Sequence, residues 1–185
     1  MSTKKIILFS ILGIVLLFGG YVAYIIATTK NHSPAGTASL SQGGLDVSLT
    51  YSRPFKKGRL VFGPEAEGAL QPYGKYWRLG ANEATEITFS KAVKFAGKPV
   101  AAGQYVIYAV PGESTWTFGL NTELGRWGYA EVDHGKDVLT VEVPSTTLPE
   151  IVEQLTLDFT GQDSVLFLNM KWDQTHVAVP IEAGE

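Results

Sequence analysis

The chain contains no cysteine. Its absence excludes disulfide bonds, thiolate metal sites, cysteine nucleophiles and a lipidated N-terminal cysteine. A chain without thiols can fold in an oxidising or a reducing compartment, so its location must be inferred from other features. Histidine is also scarce, with three residues whose spacing matches no metal-binding motif. We therefore predict neither a metal site nor a cofactor.

Charged residues are also few. They make up 18% of the chain, below the roughly 25% of a typical globular domain. Two of the 15 basic residues, Lys4 and Lys5, lie at the N-terminus, so the remainder carries 13 basic against 18 acidic residues and a net charge of −5. No stretch has a dense basic cluster. We expect such a domain to bind no nucleic acid.

Charge is absent altogether from the 21 residues Ile6–Ile26. As a helix this segment would be about 31 Å long, enough to cross the hydrocarbon core of a bilayer. A cleaved signal peptide is the main alternative, but its apolar region is usually about 7–15 residues long and is followed by a small-x-small site. Here Ile25-Ile26-Ala27 places isoleucine where a small residue is required. We predict a transmembrane anchor that contacts the lipid bilayer through Ile6–Ile26.

The flanking charges indicate the orientation of this anchor. Lys4 and Lys5 precede it, and only Lys30 follows closely. Because basic residues favour the cytoplasmic side, we expect a cytoplasmic N-terminus and a periplasmic or extracellular C-terminal domain. The predicted location is the inner (cytoplasmic) membrane, crossed once. The segment has no acidic residue or histidine for a proton path, so it would act as a tether or an assembly contact.

The sequence predicts three parts. Residues 1–27 form the anchor helix, residues 28–44 a flexible linker, and residues 45–185 an extracytoplasmic β domain. The linker assignment depends on the high content of Ser, Thr, Gly and Pro between Thr28 and Gly44. The remaining length is sufficient for one domain with a full-sized core.

From Leu45 onward, apolar and polar residues alternate. Leu45, Val47, Leu49 and Tyr51 form one such run, and similar runs occur at 155–159, 166–172 and 177–181. A period of two indicates half-buried strands. Eight or nine strands with short turns predict an all-β fold, an antiparallel β-sandwich or jelly roll preceded by the single helix. A closed barrel is the alternative, which periodicity does not distinguish.

Three hairpins are predicted, with turns at Ala96–Lys98, Pro111–Ser114 and Asp173-Gln174. The strand 104–110 is apolar on both faces, which predicts a central strand that is covered on both sides. Only Thr147–Gln154 is predicted to be helical within the β domain.

The segment 51–85 breaks the alternation. It is rich in Gly and Pro and places charged residues beside aromatic ones. A loop of this length inside a compact domain is uncommon unless it is functional. The candidate ligand-binding residues in it are Arg53, Arg59, Trp77, Arg78, Asn82 and Glu83.

These residue types suit a polar or anionic ligand. Guanidinium groups bind carboxylate or phosphate through two hydrogen bonds and also stack on rings. Asn82 and Glu83 would complete the polar set, and Trp77 would supply a stacking face for a glycan. The alternative is structural: the arginines would pair with Glu83, Glu86 or backbone carbonyls and hold a long loop in place.

The order of motifs in this segment carries a family resemblance. Ser52-Arg53-Pro54, Lys57-Gly58-Arg59 and Phe62-Gly63 precede the string PYGKYWRLGANEAT at 72–85. Over roughly residues 45–159 the chain resembles a bacterial family catalogued as domain of unknown function 2911. The resemblance implies an exported domain and brings no established activity. Members usually carry a plain signal sequence or a lipid attachment, and the long apolar segment here departs from that pattern.

Three functions remain open. The first is a membrane-anchored binding or interaction module for a small polar or anionic ligand or a glycan. The second is an accessory single-pass subunit of a larger membrane protein complex. The third is a hydrolase using Glu83, which would need a second carboxylate such as Glu65, Glu67 or Glu86 at a defined distance. No nucleophile motif is present, so no catalytic residue is predicted and a binder is favoured over an enzyme.

Two residues outside this segment have alternative interpretations. His134 lies in the turn Asp133–Lys136 and is interpreted as an ordinary turn histidine, with cation binding by Asp133, His134 and Asp137 as a weaker hypothesis. Trp127 follows Gly125-Arg126 in a loop. It either presents an exposed ring to a glycan or caps the end of the sandwich.

Overall fold

The structure is a computed structural model that describes residues 2–127 and 130–184. The chain separates into two compact units, Met1–His32 and Ser33–Glu185. Within these described residues, the first unit is one helix and the second contains the strands.

Helix α1 spans Thr3–His32. Its apolar part, Thr3–Ile25, has 23 residues and a mean hydropathy of 2.5. At 1.5 Å per residue this part is about 35 Å long. By length and composition it could cross a membrane, and an N-terminal signal sequence has the same properties.

The segment predicted as a flexible linker is not a linker in the structure. Residues 28–32 continue α1, and strand β1 occupies Ala35–Gln42. Every residue of β1 pairs with strand β2, Leu45–Ser52, in an antiparallel register from Ala35↔Ser52 to Gln42↔Leu45. The Gly43-Gly44 pair between them has positive φ at both positions, the conformation that a two-residue hairpin turn requires.

The described part of the chain forms nine further strands. They are β3 (Phe62–Gly63), β4 (Gln71–Pro72), β5 (Glu86–Phe89), β6 (Val93–Phe95), β7 (Lys98–Val100), β8 (Gly103–Val110), β9 (Thr115–Asn121), β10 (Asp137–Gln162) and β11 (Val165–Ala183). Short 3₁₀ helices occur at Glu65–Glu67 and His134–Lys136.

The main sheet is antiparallel, with the strand order β1-β2-β5-β8-β9-β10-β11-β6-β7. Strand β10 joins its two halves, because residues 137–144 pair with β9 and residues 145–162 pair with β11. The halves face each other across one core: the Tyr51 hydroxyl of β2 donates to the Leu157 carbonyl of β10 at 3.2 Å, and the rings of Phe89 and Phe95 lie 6.2 Å apart. The prediction of an antiparallel β fold with a sandwich-like arrangement and one N-terminal helix is confirmed.

Two local predictions are wrong. The turn expected at Asp173-Gln174 does not form, because β11 continues through it and pairs with β10 on both sides. Asp173 has a positive φ of 55° and pairs with Val152, so it marks an irregularity in a long strand. The helix expected at Thr147–Gln154 lies within β10, where the register shifts twice between Thr147 and Thr156. The hairpin with its turn predicted at Ala96–Lys98 forms with the shorter turn Ala96-Gly97, because Lys98 already pairs with Phe95, and the hairpin at 111–114 forms as predicted.

The segment 76–85 extends the sheet beside β8. Trp77 exchanges two backbone hydrogen bonds with Ala109, each 2.8 Å long, and the Ile107 amide donates to the Thr85 carbonyl at 2.9 Å. The segment precedes β5 in sequence and pairs with the same edge of β8 as β5 does. On the outer face, Val106 and Tyr108 are covered by Ala84 and Val132. Strand β8 is thus buried on both sides, as its apolar sequence predicts.

Candidate functional site

The structure does not bring the six candidate residues together in one cleft. Arg53 follows β2, and its guanidinium is engaged by β10. Its Nε donates to the Leu155 carbonyl at 3.2 Å and its Nη2 to the Thr156 hydroxyl at 3.3 Å. The Gln154 side chain also donates to the Arg53 carbonyl at 3.0 Å. Arg53 therefore joins the two halves of the sandwich.

Arg59 is exposed and stabilises its own loop. Its Nε donates to the Lys56 carbonyl at 2.9 Å, and its Nη2 donates to the Phe55 carbonyl. Lys57 and Gly58, which lie between, both have positive φ. The Arg59 guanidinium thus stabilises a tight turn by bridging two of its carbonyl groups.

Trp77 and Asn82 are buried rather than exposed to a ligand. The Trp77 ring is 3% exposed, stacks on Trp172 at 5.8 Å and meets Phe62 edge-on at 5.6 Å. Its indole N–H donates to the Gly80 carbonyl at 3.0 Å. Asn82, with a left-handed φ of 54°, donates from its amide to the Ser33 carbonyl at 3.2 Å.

Glu83 is exposed at the surface of the same segment. Its Oε2 accepts a hydrogen bond from the Ser52 hydroxyl at 3.4 Å. Glu86, one candidate for a second carboxylate, is held by two donors, the Gly125 amide at 2.7 Å and the Gln104 side chain at 2.8 Å. Glu65 forms an exposed ion pair with Lys75 at 3.3 Å.

Arg78 differs from the other two arginines. Its Nε and Nη1 atoms are buried and have no hydrogen-bond partner among the described residues. Burial lowers the pKa of Arg78, and the nearby Tyr76 hydroxyl acts in the opposite direction. A buried donor without an acceptor costs free energy, so such groups are rare in native proteins and call for an explanation.

The local backbone explains why Arg78 is placed there. Trp77 is fixed to β8 by its two hydrogen bonds with Ala109, and its ring enters the core. Successive side chains of an extended segment project from opposite faces, so Tyr76 and Arg78 lie on the outer face. Both line a cavity of about 190 Å³ together with Leu70, Gln71, Trp77 and Gly80. We call it the Arg78 cavity.

A polar network lies beside this cavity. Asp137 Oδ2 accepts hydrogen bonds from the Tyr108 hydroxyl at 2.7 Å and from His134 Nδ1 at 2.8 Å. Asp137 Oδ1 accepts from the Asn121 amide at 2.7 Å. The outer imidazole nitrogen of His134 lies 3.4 Å from Glu131 Oε1. We call Tyr108, Asn121, His134 and Asp137 the Asp137 network.

The electrostatics of this network keep Asp137 ionised. Burial alone would raise the pKa of Asp137, but the hydrogen bonds from Asn121, Tyr108 and His134 outweigh it and hold that pKa below its ordinary value. The hydrogen bond to Asp137 raises the pKa of His134, against a smaller effect of burial. Burial also raises the pKa of Tyr108, and the hydrogen bond to Asp137 adds to this effect.

Tyr76 connects the cavity with the network. Its ring lies 5.3 Å from that of Tyr108 and 6.5 Å from that of His134. Burial raises the pKa of Tyr76 to about 12, although Arg126 and Arg78 both lower it. Its phenol is therefore neutral at physiological pH and lies in the field of two guanidinium groups.

Sequence reasoning identified Arg78 and the Asp133–Asp137 turn but not their proximity. Tyr76, Tyr108 and Asn121 were missed. Trp127, in the loop beside Glu83, is 64% exposed. Within residues 2–127 and 130–184, no group of three acidic or histidine side chains is arranged to hold a metal ion.

Comparison with known families gives one result. The family model "Protein of unknown function (DUF2911)" matches residues 33–181, nearly all of the β domain. No curated protein and no solved structure matches significantly. The matched range begins one residue after α1 ends. The chain therefore belongs to the DUF2911 family of proteins of unknown function.

Proposed function

We propose that the β domain is a non-enzymatic binding module that recognises a small anionic ligand in the Arg78 cavity. The observation that carries this proposal is the pair of buried guanidinium donors, Nε and Nη1 of Arg78, without an acceptor beside a cavity. An anion would supply an acceptor for one of these donors through a charge-assisted hydrogen bond, the stronger kind.

The comparison of the three arginines supports this assignment. Arg53 and Arg59 have their donors occupied by oxygen atoms of the protein, so an anion would have to displace them. Arg78 has no such competitor for Nε and Nη1 among the described residues. The candidate ligand set therefore narrows from six residues to Arg78 with Tyr76 and Gln71 as its neighbours in the cavity.

The proposed location follows from α1 and its flanking charges. The helix would anchor the protein in the inner membrane, with Lys4 and Lys5 on the cytoplasmic side. The β domain would then meet its ligand in the periplasm or outside the cell.

A thermal unfolding experiment tests the proposed function. The full chain in mild detergent is heated with a panel of small anions, and with neutral sugars, at constant ionic strength. A ligand at 100 times its Kd should stabilise the domain by about 2.7 kcal/mol. Arg78→Met should abolish that effect, whereas the charge-matched control Arg59→Met should keep it. Stabilisation by a sugar alone, or equal loss in both variants, would contradict the proposal.

An accessory subunit is a second candidate, favoured by one observation. Trp127 and Leu124, in one loop, are 64% and 44% exposed. Large apolar side chains of this kind are enriched at protein interfaces. Purification in mild detergent should then recover a stoichiometric partner, and Trp127→Ser should release it. Recovery of the chain alone would count against this candidate. Hydrolysis by Glu83 stays a prediction.

A further inference from the structure

We infer that strand β1 is an interface between two copies of this chain, which pair edge to edge as antiparallel strands about a twofold axis. The occupant of this edge is β1 of a second copy. The inference goes beyond the proposed function and does not depend on Arg78 or its ligand. Three properties of β1 support it: its free edge, its lack of protection and the self-complementary register that it allows.

One edge of β1 carries backbone groups without a partner strand. Strand β1 stands at the end of the main sheet, and β2 is its neighbour there. The Arg53 amide donates to the Pro34 carbonyl at 2.8 Å, so hydrogen-bonded pairs with β2 recur at every second position from there to Gln42↔Leu45. The N–H and C=O groups between them point away from β2, and no backbone hydrogen bond to another described segment occupies them. They belong to Ala35, Thr37, Ser39 and Ser41.

This edge lacks the features that normally prevent a strand from pairing with another chain. Natural edge strands are short, or they carry lysine, proline or a bulge. The opposite edge of the sheet follows this rule, since β7 has three residues and contains Lys98 and Pro99. Strand β1 has eight residues without charge or proline, and its pairing with β2 runs without a register shift. An edge this long and unprotected is suited to the addition of another strand.

Two β1 strands pair most completely when Ala38 lies opposite Ala38 of the second copy. Ala35 then lies opposite Ser41 of the second copy. Thr37 lies opposite Ser39, and the twofold axis repeats both pairs. All the outward-pointing residues of both copies thus form hydrogen-bonded pairs, with about eight hydrogen bonds in total. A register centred on Ser39 would form fewer such pairs within β1.

The side chains also match in this register. Leu40, the one large residue of β1, lies opposite Gly36 of the second copy on the core-facing side of the sheet. Gly36 has no side chain, and methylene groups of Arg53 occupy the space above it, with Cδ 2.6 Å from where a Cβ atom would be. Leu40 is only partly buried against the core of its own domain. Contact with these methylene groups would bury more of it.

The charge distribution makes β1 the suitable place for two copies to meet. The chain beyond Lys5 carries a net charge of −5, so two copies repel each other in many relative orientations. Strand β1 has no charged side chain, and pairing along it therefore places no like charges directly opposite each other.

The proposed membrane anchor also favours a second copy as the occupant. Strand β1 begins at Ala35, three residues after α1 ends at His32. A twofold axis along the membrane normal makes the two β1 strands antiparallel and keeps both helices in the same orientation in one membrane. Confinement to that membrane raises the effective concentration of the copies. A single strand pair needs this contribution, because its interface is small.

Disulfide trapping in lipid vesicles that contain the full chain tests the pairing. Because the chain has no cysteine, each variant carries a single one. In Ala38→Cys the two thiols would lie on directly opposite residues, whose Cα atoms are about 4.5 Å apart, a distance that a disulfide can span. Ser48→Cys is the control, since Ser48 is exposed on β2 and away from the edge. We expect mild oxidation to convert most of the Ala38→Cys chain to dimer and little of the Ser48→Cys chain. No dimer from Ala38→Cys, or equal yields from both variants, would overturn the inference.

A pair of charge variants tests the same edge without a covalent bond. Thr37→Lys/Ser39→Lys would place lysine opposite lysine in the dimer and should weaken dimerisation about 10-fold. Ser48→Lys/Thr50→Lys adds the same charge to the exposed face of β2 and should leave dimerisation unchanged. Analytical ultracentrifugation of the full chain in mild detergent measures the dissociation constant, and the Tm shows that both variants are folded. Equal weakening in the two variants, or capture of a different protein by β1 of a monomeric chain, would overturn the inference.

Discussion

Gly119 lies directly opposite Tyr108 in the register of β8 and β9, and the Tyr108 ring lies over it. A Cβ atom at position 119 would overlap this ring. The absence of a side chain in β9 therefore allows Tyr108 to reach Asp137 on the next strand, where its hydroxyl donates at 2.7 Å. The Asp137 network depends on this close approach, because it places the Tyr108 hydroxyl. Tyr108 also packs against Tyr76.

Gly119→Ala should displace Tyr108 and destabilise the domain. We expect a loss of about 1–3 kcal/mol in the free energy of unfolding, the usual cost of overpacking. The same substitution in a Tyr108→Ala background should cost much less, because the ring is gone. A double-mutant cycle measured by urea unfolding gives the coupling between the two positions. Equal costs in both backgrounds would show that Gly119 is required for another reason.

Arg78→Met should stabilise the protein without ligand. The substitution removes buried, unpartnered donors and keeps the apolar stem, so the free energy of unfolding should rise by about 1 kcal/mol or more. Arg53→Met removes the same charge but also two hydrogen bonds to β10, and should lower stability by about 1–2 kcal/mol. Urea unfolding followed by tryptophan fluorescence measures both. A loss for Arg78→Met as large as that for Arg53→Met would indicate a structural role.

The Asp137 network predicts a pH dependence of stability. The pKa of His134 is raised above its ordinary value of 6.5, so its contribution is complete below pH 6.5 and is lost as pH rises through the folded-state pKa. The pKa of Asp137 is lowered below its ordinary 3.8, so its contribution is complete above pH 3.8 and is lost as pH falls through the folded-state pKa. Both contributions are therefore complete between pH 3.8 and 6.5.

His134→Gln isolates the histidine contribution. The difference in Tm between wild type and this variant should grow as pH falls from 8 to 6. Comparison with the variant is necessary because burial lowers the pKa of His176, so that histidine makes the domain less stable as pH falls through 6.5. His176→Gln serves as the control and should change the pH dependence in the opposite direction. A Tm difference for His134→Gln that is constant with pH would refute the assigned role.

Much of the fold could be predicted from the alternation of apolar and polar residues, because a strand with one buried face requires that alternation. The alternation of Leu45, Val47 and Leu49 in β2 reflects the core on one side and solvent on the other. Strand β1 could not be predicted in this way, because all its residues except Leu40 are small or polar and none is fully buried. Strand β1 is held to β2 by the backbone hydrogen bonds of an antiparallel ladder. Asp173 resembles a turn residue, but the pairing of two long strands overrides that local preference.

The candidate site was only partly predictable for a similar reason. Arg78 lies beside Trp77 in a distinctive segment and could be identified from sequence. Asp137 and Tyr108 are 29 positions apart, and the registers of β8, β9 and β10 bring them together through Asn121, which pairs with Val106 on one side and Asp137 on the other. Sequence also could not show which arginine lacks a partner, since this depends on carbonyl groups of distant strands such as that of Leu155.

The most direct measurement of the central claim is the side-chain NMR signal of Arg78. In a ¹⁵N-labelled full chain in detergent, the Nε–Hε resonance of Arg78, assigned by its loss in Arg78→Lys, is followed during separate titrations with acetate, inorganic phosphate and sulfate. The account predicts a saturable shift of this resonance, while those of Arg53 and Arg59 remain in place. An Arg78 resonance that does not move with any of these anions would contradict the claim that Arg78 binds an anion.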